Sequence, residues 1–146
     1  MIKIGIVGSR SRNSHEDYMI LVNAFTDFVN SCSLRMSGDV HIISGGARSG
    51  ADKFAEEIAK QYNYSITIYR PNYKKYFGKE APKIRNTLIA NESDYLFALW
   101  DKYSGGTEDT INKFLANHDR YKLILLLTKE KESKEVLPYT KQEYSF

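Results

Sequence analysis

Within the run His41-Ile-Ile-Ser-Gly-Gly-Ala-Arg-Ser-Gly-Ala-Asp52, one kind of hydrophobic periodicity gives way to another. After His41, Ile42 and Ile43 are apolar and β-branched, as a buried strand requires. Ala51, Phe54, Ala55, Ile58, Ala59 and Tyr62 then recur at helical spacing over three turns, one apolar stripe on one helix face. The reading is strand, tight loop, helix. Gly45, Gly46 and Gly50 are free to take φ > 0, which lets main-chain N–H groups face a ligand. The first turn of the helix brings unpaired N–H groups and a positive dipole end that favour an anion. Such a loop serves either as a phosphate cradle or as a plain strand-to-helix corner.

The same grammar repeats on both sides. Ile2 to Val7 is a buried strand emptying into Gly8-Ser9-Arg10-Ser11-Arg12, a second candidate anion loop. Ser14, with Asp17 three residues on, opens a helix whose apolar positions are Tyr18, Leu21, Val22, Phe25, Phe28 and Val29. Cys32 follows that stripe and is expected to pack in the interior. Ser37-Gly38-Asp39 separates the helix from a second strand, Val40 to Ile43. Ser65 to Tyr69 reads as a third strand, stopped by Pro71. A basic, aromatic loop, Asn72 to Lys79, precedes a short helix over residues 81–90 with Ile84 and Leu88 on its apolar side. Asp94 to Asp101 encloses an apolar run expected to be a central strand. Ser104-Gly105-Gly106-Thr107 leads into a helix carrying Ile111, Phe114 and Leu115, and Tyr121 to Leu127 is a fifth strand.

Regular alternation of this kind implies an α/β domain over residues 1–128, with a mostly parallel five-stranded sheet and helices on both faces. Right-handed crossovers bring the strand-to-helix loops to one edge, where such sheets bind ligands. Residues 129–146 are charged and aperiodic and read as a C-terminal tail. Val136, Leu137, Tyr139, Tyr144 and Phe146 would let it dock on the domain or on a neighbouring subunit, the basis for expecting a homo-oligomer.

At 146 residues the chain is long enough to bury a core without staples. Its single cysteine excludes an intrachain disulfide or Cys-based zinc framework and fits a reducing cytoplasm. The opening MIKIGIVGSR is too short in apolar residues for a leader or a membrane span, so neither is expected. The net charge of +3 is unevenly placed. Arg70, Lys74, Lys75, Lys79, Lys83 and Arg85 stand against the single acid Glu80 in that segment, leaving the rest of the chain acidic.

Neither G-x-G-x-x-G nor G-x-x-x-x-G-K-[ST] is present, which argues against NAD-binding and ordinary ATPase chemistry. His15, His41 and His118 have no metal-ligand spacing, so no metal and no cofactor is expected. Ser9 and Ser44 lack His and Asp partners for a hydrolase triad. What remains is three loops at one edge: Gly8-Ser9-Arg10, Ser44 to Asp52, and Asp101 to Thr107. With Arg10 and Arg48 beside them, they point to a phosphorylated or nucleotide ligand. Asp101, just past the central strand, either contacts ligand or merely ends the strand. Asp52 is read as capping the glycine loop, and Glu108 and Asp109 as favourable charges at a helix N-terminus. The run from Tyr69 to Arg85 is either a wall over the small-molecule site or, with Tyr73, Tyr76 and Phe77 stacking on bases, a nucleic-acid surface.

Four segments in order resemble the SLOG superfamily, the Rossmann-like group that includes the DprA and LOG proteins, and within it the small single-domain YspA-like branch common in bacteria and their phages. They are IVGSR at 6–10, SGGARSGAD at 44–52, YFGKEAPKIRN at 76–86, and DYLFALWD at 94–101 paired with SGGT at 104–107. The resemblance spans roughly residues 2–128. It implies a Rossmann-like domain that binds a nucleotide or nucleotide-derived small molecule as sensor, carrier or processing protein. The ligand residues would be Gly8, Ser9, Arg10, Ser44, Gly45, Gly46, Ala47, Arg48, Gly50, Asp52, Ser104, Gly105, Gly106 and Thr107, with Arg85 and Asn86 as the paired RN of the branch. Two departures stand out. Where the LOG proteins carry a glutamate after P-G-G-x-G-T this chain has Thr110, so an N-glycosidic cleavage would need another carboxylate, with Asp101 as candidate. Ser49 also lengthens the glycine loop by one residue.

Overall fold

β1 (Ile2–Gly8), α1 (His15–Ser31), β2 (Val40–Ser44), α2 (Ala51–Tyr62), β3 (Ser65–Ile68), α3 (Glu80–Glu92), β4 (Tyr95–Leu99), α4 (Gly105–Asn117) and β5 (Leu123–Leu126) follow one another in the computed structural model. The structure describes residues 1–128; the sequence reading of the C-terminal tail lies outside the described residues. All four strand pairings are parallel and the sheet order is β3-β2-β1-β4-β5. The chain winds outward from β1 to β3, crosses back to β4 beside β1, then winds the other way. The reversal therefore lies between β1 and β4, and α/β sheets of this order open a crevice at that point.

Period-two alternation divides the strand residues between two cores. Ile4, Ile6, Ile42, Phe97, Leu99 and Ile124 pack with α1 and α2, whereas Val7, Ile43, Leu96, Ala98, Leu123 and Leu125 pack with residues of α3 and α4. Helices thus cover both faces of a Rossmann-like α/β sheet, as the alternating pattern requires. Among the described residues, no helix is long and apolar enough to cross a membrane.

Local chemistry fixes the helix ends. Ser14 Oγ accepts from the Asp17 N–H at 3.0 Å while Asp17 reaches back to the Ser14 N–H, a reciprocal capping box. α2 ends on Asn63 in the left-handed conformation, φ 59° and ψ 40°, a geometry the short amide side chain tolerates.

Two expectations are corrected. Cys32 is exposed, because it is the C-cap of α1 and lies past the last inward-facing turn. The inward side of α3 is formed by Ala81, Asn86, Ile89 and Ala90, while Leu88 is 43% exposed and Ile84 only half-buried. Small residues let α3 lie close to its neighbours, and the rotation that buries them presents Arg85 and Asn86 to the loop edge.

Arg12 is withdrawn from the basic loop after β1. Its side chain is buried, with Nε donating to Asp17 Oδ1 at 2.9 Å, Nη2 2.8 Å from the same oxygen, and Nη1 donating to the carbonyls of Trp100 and Leu126. This cation ties the first loop to the ends of β4 and β5. Arg10 is left as the exposed cation of the pair.

Candidate functional site

At the C-terminal edge of the sheet lies a cavity of about 550 Å³. All three predicted loops contribute to it. Gly8 and Arg10 come from the end of β1, Gly45, Gly46, Ala47 and Asp52 from the β2–α2 turn, and Ser104, Gly106 and Thr107 from the start of α4. Arg85 and Asn86 on α3 complete the lining foreseen in the sequence.

The β1 and β4 loops are stitched together at the sheet reversal. The Ser9 N–H donates to the Leu99 carbonyl at 2.9 Å, and Ser9 Oγ accepts from the Asp101 N–H at 3.0 Å. Ser9 is buried and its hydroxyl is thereby a structural acceptor. Ser44, also fully buried, faces the Asp52 carbonyl and the Gly46 N–H at 3.4 Å each. Neither serine lines the cavity, and neither do Arg48, Gly50, Gly105 or Asp101.

The glycine loop is built differently from a simple amide cradle. Gly46 and Gly50 adopt φ of 79° and 77°; Gly45 is not in the positive-φ region. Gly45 lets two side chains approach closely, since a Cβ there would stand 2.7 Å from Arg85 Nη1 and 3.0 Å from Asp52 Oδ2 and would displace the guanidinium. The Ala47 N–H donates to Asp52 Oδ2 at 3.0 Å and the Gly50 N–H to Asn13 Oδ1 at 2.7 Å. Two amides that the sequence offered to a ligand are therefore engaged by side chains that shape the turn. Asn13 was not foreseen as part of this loop; its position just before a helix cap gave no sign of a long-range partner.

Guanidinium groups supply the donors instead. Arg85 Nη1 donates to the Gly45 carbonyl at 2.8 Å and Arg70 Nη1 to the next carbonyl, Gly46, at 2.9 Å. Arg10, Arg70 and Arg85 all line the cavity, and among the described residues none of them forms an ion pair. Asp52 is the single acid in the lining. Each planar fork retains donors beyond those bonded to the loop, the arrangement that suits phosphate or carboxylate oxygens. Arg70, Pro71, Tyr73 and Pro82, from the run read in the sequence as either a wall over the site or a nucleic-acid surface, join the lining, as does Thr110, which was not assigned to it. The basic, aromatic composition of the segment after β3 was the available signal for Arg70 and Tyr73.

Arg85 is held from behind. Its Nε donates to Asn86 Oδ1 at 2.9 Å, and Asn86 Nδ2 donates to Asp109 Oδ2 at 3.1 Å and the Gly106 carbonyl at 3.3 Å. Asp109 also receives Lys113 Nζ at 2.9 Å. Asn86 thus spends both ends of its amide orienting Arg85 and the start of α4. Asp109, read from sequence as a charge on the helix dipole, is the acceptor that fixes which way this amide points.

Burial pushes the Asp52 carboxyl above its ordinary value, against the opposing pull of the Ala47 and Gly45 N–H groups and the Arg85 guanidinium. Burial also lowers Arg85, and the charge of Asp52 works the other way. For Asp101, burial raises the pKa but is outweighed by hydrogen bonds, so the group sits at about 2. Oδ1 accepts from the N–H groups of Tyr103 and Ser104 at 2.8 Å each, and Oδ2 from Ser11 Oγ at 2.6 Å. With both oxygens bonded in a turn, away from the cavity lining, this carboxylate closes the β4–α4 loop. Asp101, the candidate catalytic group of the sequence, thus stands outside the cavity lining. Comparison of the chain with family models, with curated proteins and with solved structures found no match.

Proposed function

We propose that this domain binds a nucleotide or nucleotide-derived phosphate ester in the cavity at the sheet reversal, as a sensor or carrier. One observation carries the reading: three guanidiniums, from Arg10, Arg70 and Arg85, surround a cavity whose lining holds a single carboxylate. A surplus of fixed positive charge in a half-enclosed site is favourable only toward an anion, and forked donors select planar or tetrahedral oxyanions. The cavity is large enough for a nucleoside monophosphate, and Tyr73 in its wall offers a ring face to a base. The resemblance to the SLOG superfamily, carried by the same loops, supports this choice of ligand class.

Binding is favoured over N-glycosidic cleavage by the placement of the acids. Cleavage needs a carboxylate free to handle a proton or a developing cation beside the sugar. Asp101 lies outside the lining, Thr110 occupies the position where the LOG proteins have glutamate, and Asp52 is bonded to the loop it shapes.

A thermal-shift panel of nucleoside mono-, di- and triphosphates and nucleotide sugars tests the reading. At least one compound is expected to raise Tm, with the rise lost in Arg10→Ala and weakened in Arg85→Lys, which keeps the charge but not the fork. Indifference to the whole panel, with the native protein shown to be folded, would sink it.

A further inference from the structure

Toward the N-terminal edge of the sheet, away from the cavity, strand register gathers side chains that are far apart in sequence. Lys3, His41 and Ser65 are successive partners across β1, β2 and β3, and Thr67 follows Ser65 on the same face. His41 lies between the two hydroxyls, with Nδ1 2.6 Å from Ser65 Oγ and Nε2 2.7 Å from Thr67 Oγ1. β3 is the edge of the sheet and this corner is open: Ser65 is exposed, His41 and Thr67 half-buried. None of the four residues lines the cavity.

A neutral imidazole has one N–H and one bare nitrogen. In the tautomer whose Nε2–H donates to Thr67, Nδ1 accepts from the Ser65 hydroxyl, a base already bonded to a nucleophile. Thr67 then takes the place that a carboxylate holds in a hydrolase triad, fixing the ring and its tautomer. Burial, and after it the charge of Lys3, holds His41 below its ordinary 6.5, so at neutral pH the ring is the free base. The Tyr69 N–H donates inward to the Ser44 carbonyl. Counting back along β3 by alternation, the Ile66 N–H points out of the sheet, a donor one residue after Ser65.

We propose that Ser65 is a nucleophile toward small activated carboxylic esters, with His41 as its general base. Ser65 Oγ bonds to the acyl carbon as its proton passes to His41 Nδ1. The ester C–O bond breaks, and the proton leaves with the alcohol or, where the leaving group is a stable phenolate, goes to water. Water deprotonated by the same ring then releases the acid and restores the serine. At so open a corner the ester is chosen by its leaving group.

Two probes test this. Hydrolysis of p-nitrophenyl acetate reads the rate, and an alkyl fluorophosphonate, whose P–F bond breaks as the Oγ–P bond forms and fluoride leaves, traps the nucleophile for peptide mass spectrometry. The native protein is expected to hydrolyse the ester faster than buffer and to carry the phosphonyl group on Ser65. Ser65→Ala should lose the label, and His41→Gln should slow labelling of Ser65 at least about 100-fold, with thermal denaturation showing that the variants fold. A native protein without label on Ser65 overturns the proposal, whatever the variants do. So does labelling of Ser65 at an undiminished rate in folded His41→Gln. Neither result bears on whether the cavity binds an anion, so the two readings stand or fall separately.

Discussion

Arg12 carries the largest single-residue consequence in this chain. A guanidinium buried with Asp17 and two strand-end carbonyls cannot lose its partner without leaving a charge in a dry site. Asp17→Ala is expected to destabilise by about 3–5 kcal/mol, read from urea denaturation, whereas removal of the exposed Arg10 should change stability by no more than about 0.5 kcal/mol. Gly50 is a second such point. A Cβ there would lie 2.5 Å from the Ser9 carbonyl oxygen at φ 77°, so Gly50→Ala should cost at least about 2 kcal/mol by the same measurement. The two acids of the edge act on stability with opposite signs. Asp101 is held at about 2, below the ordinary 3.8, so its contribution is present above 3.8 and is lost as pH falls toward 2. Asp52 is raised, so the folded state binds its proton more tightly than the unfolded chain, and stability falls as pH rises from 3.8 through the folded value. Denaturation midpoints between pH 2 and 7 should show a shallower acid loss in Asp101→Asn and no such fall with rising pH in Asp52→Asn.

Among the elements, α3 tests the rotation that brings Arg85 to the site. Its sequence offers Ile84 and Leu88 as an apolar side, yet Ile89 is 1% exposed and Leu88 43%. Ile89→Ala should therefore cost about 2–4 kcal/mol and Leu88→Gln about 0.5 kcal/mol or less, measured as differences in unfolding free energy. Helical spacing was legible here to within a turn, but the stripe was not. A helix of mixed composition has more than one plausible buried side, and only the sheet beneath it and α4 beside it choose. The polar chain from Arg85 through Asn86 and Asp109 to Lys113 was invisible for the same reason: it joins α3 to α4 across more than twenty residues of sequence. The capping box of α1, by contrast, is local, and Ser14 with Asp17 announced it correctly.

At the scale of the whole molecule, the strand–helix alternation and the three glycine-bearing loops were enough to anticipate a parallel sheet with its loops at one edge. β-branched runs and helical stripes are local signals, and chirality fixes how they connect. Where the sheet reverses was not written locally, and the reversal between β1 and β4 is what turns three separate loops into one cavity. The composition of the segment from Arg70 to Arg85 determined that positive charge would be concentrated somewhere. Only the tertiary structure placed Arg70 and Arg85 on consecutive carbonyls of the Gly45-Gly46 loop, buried Arg12 and removed Asp101 from the lining. The physical reason is that a residue's type fixes what it can bond, whereas its availability depends on which distant groups have already bonded it.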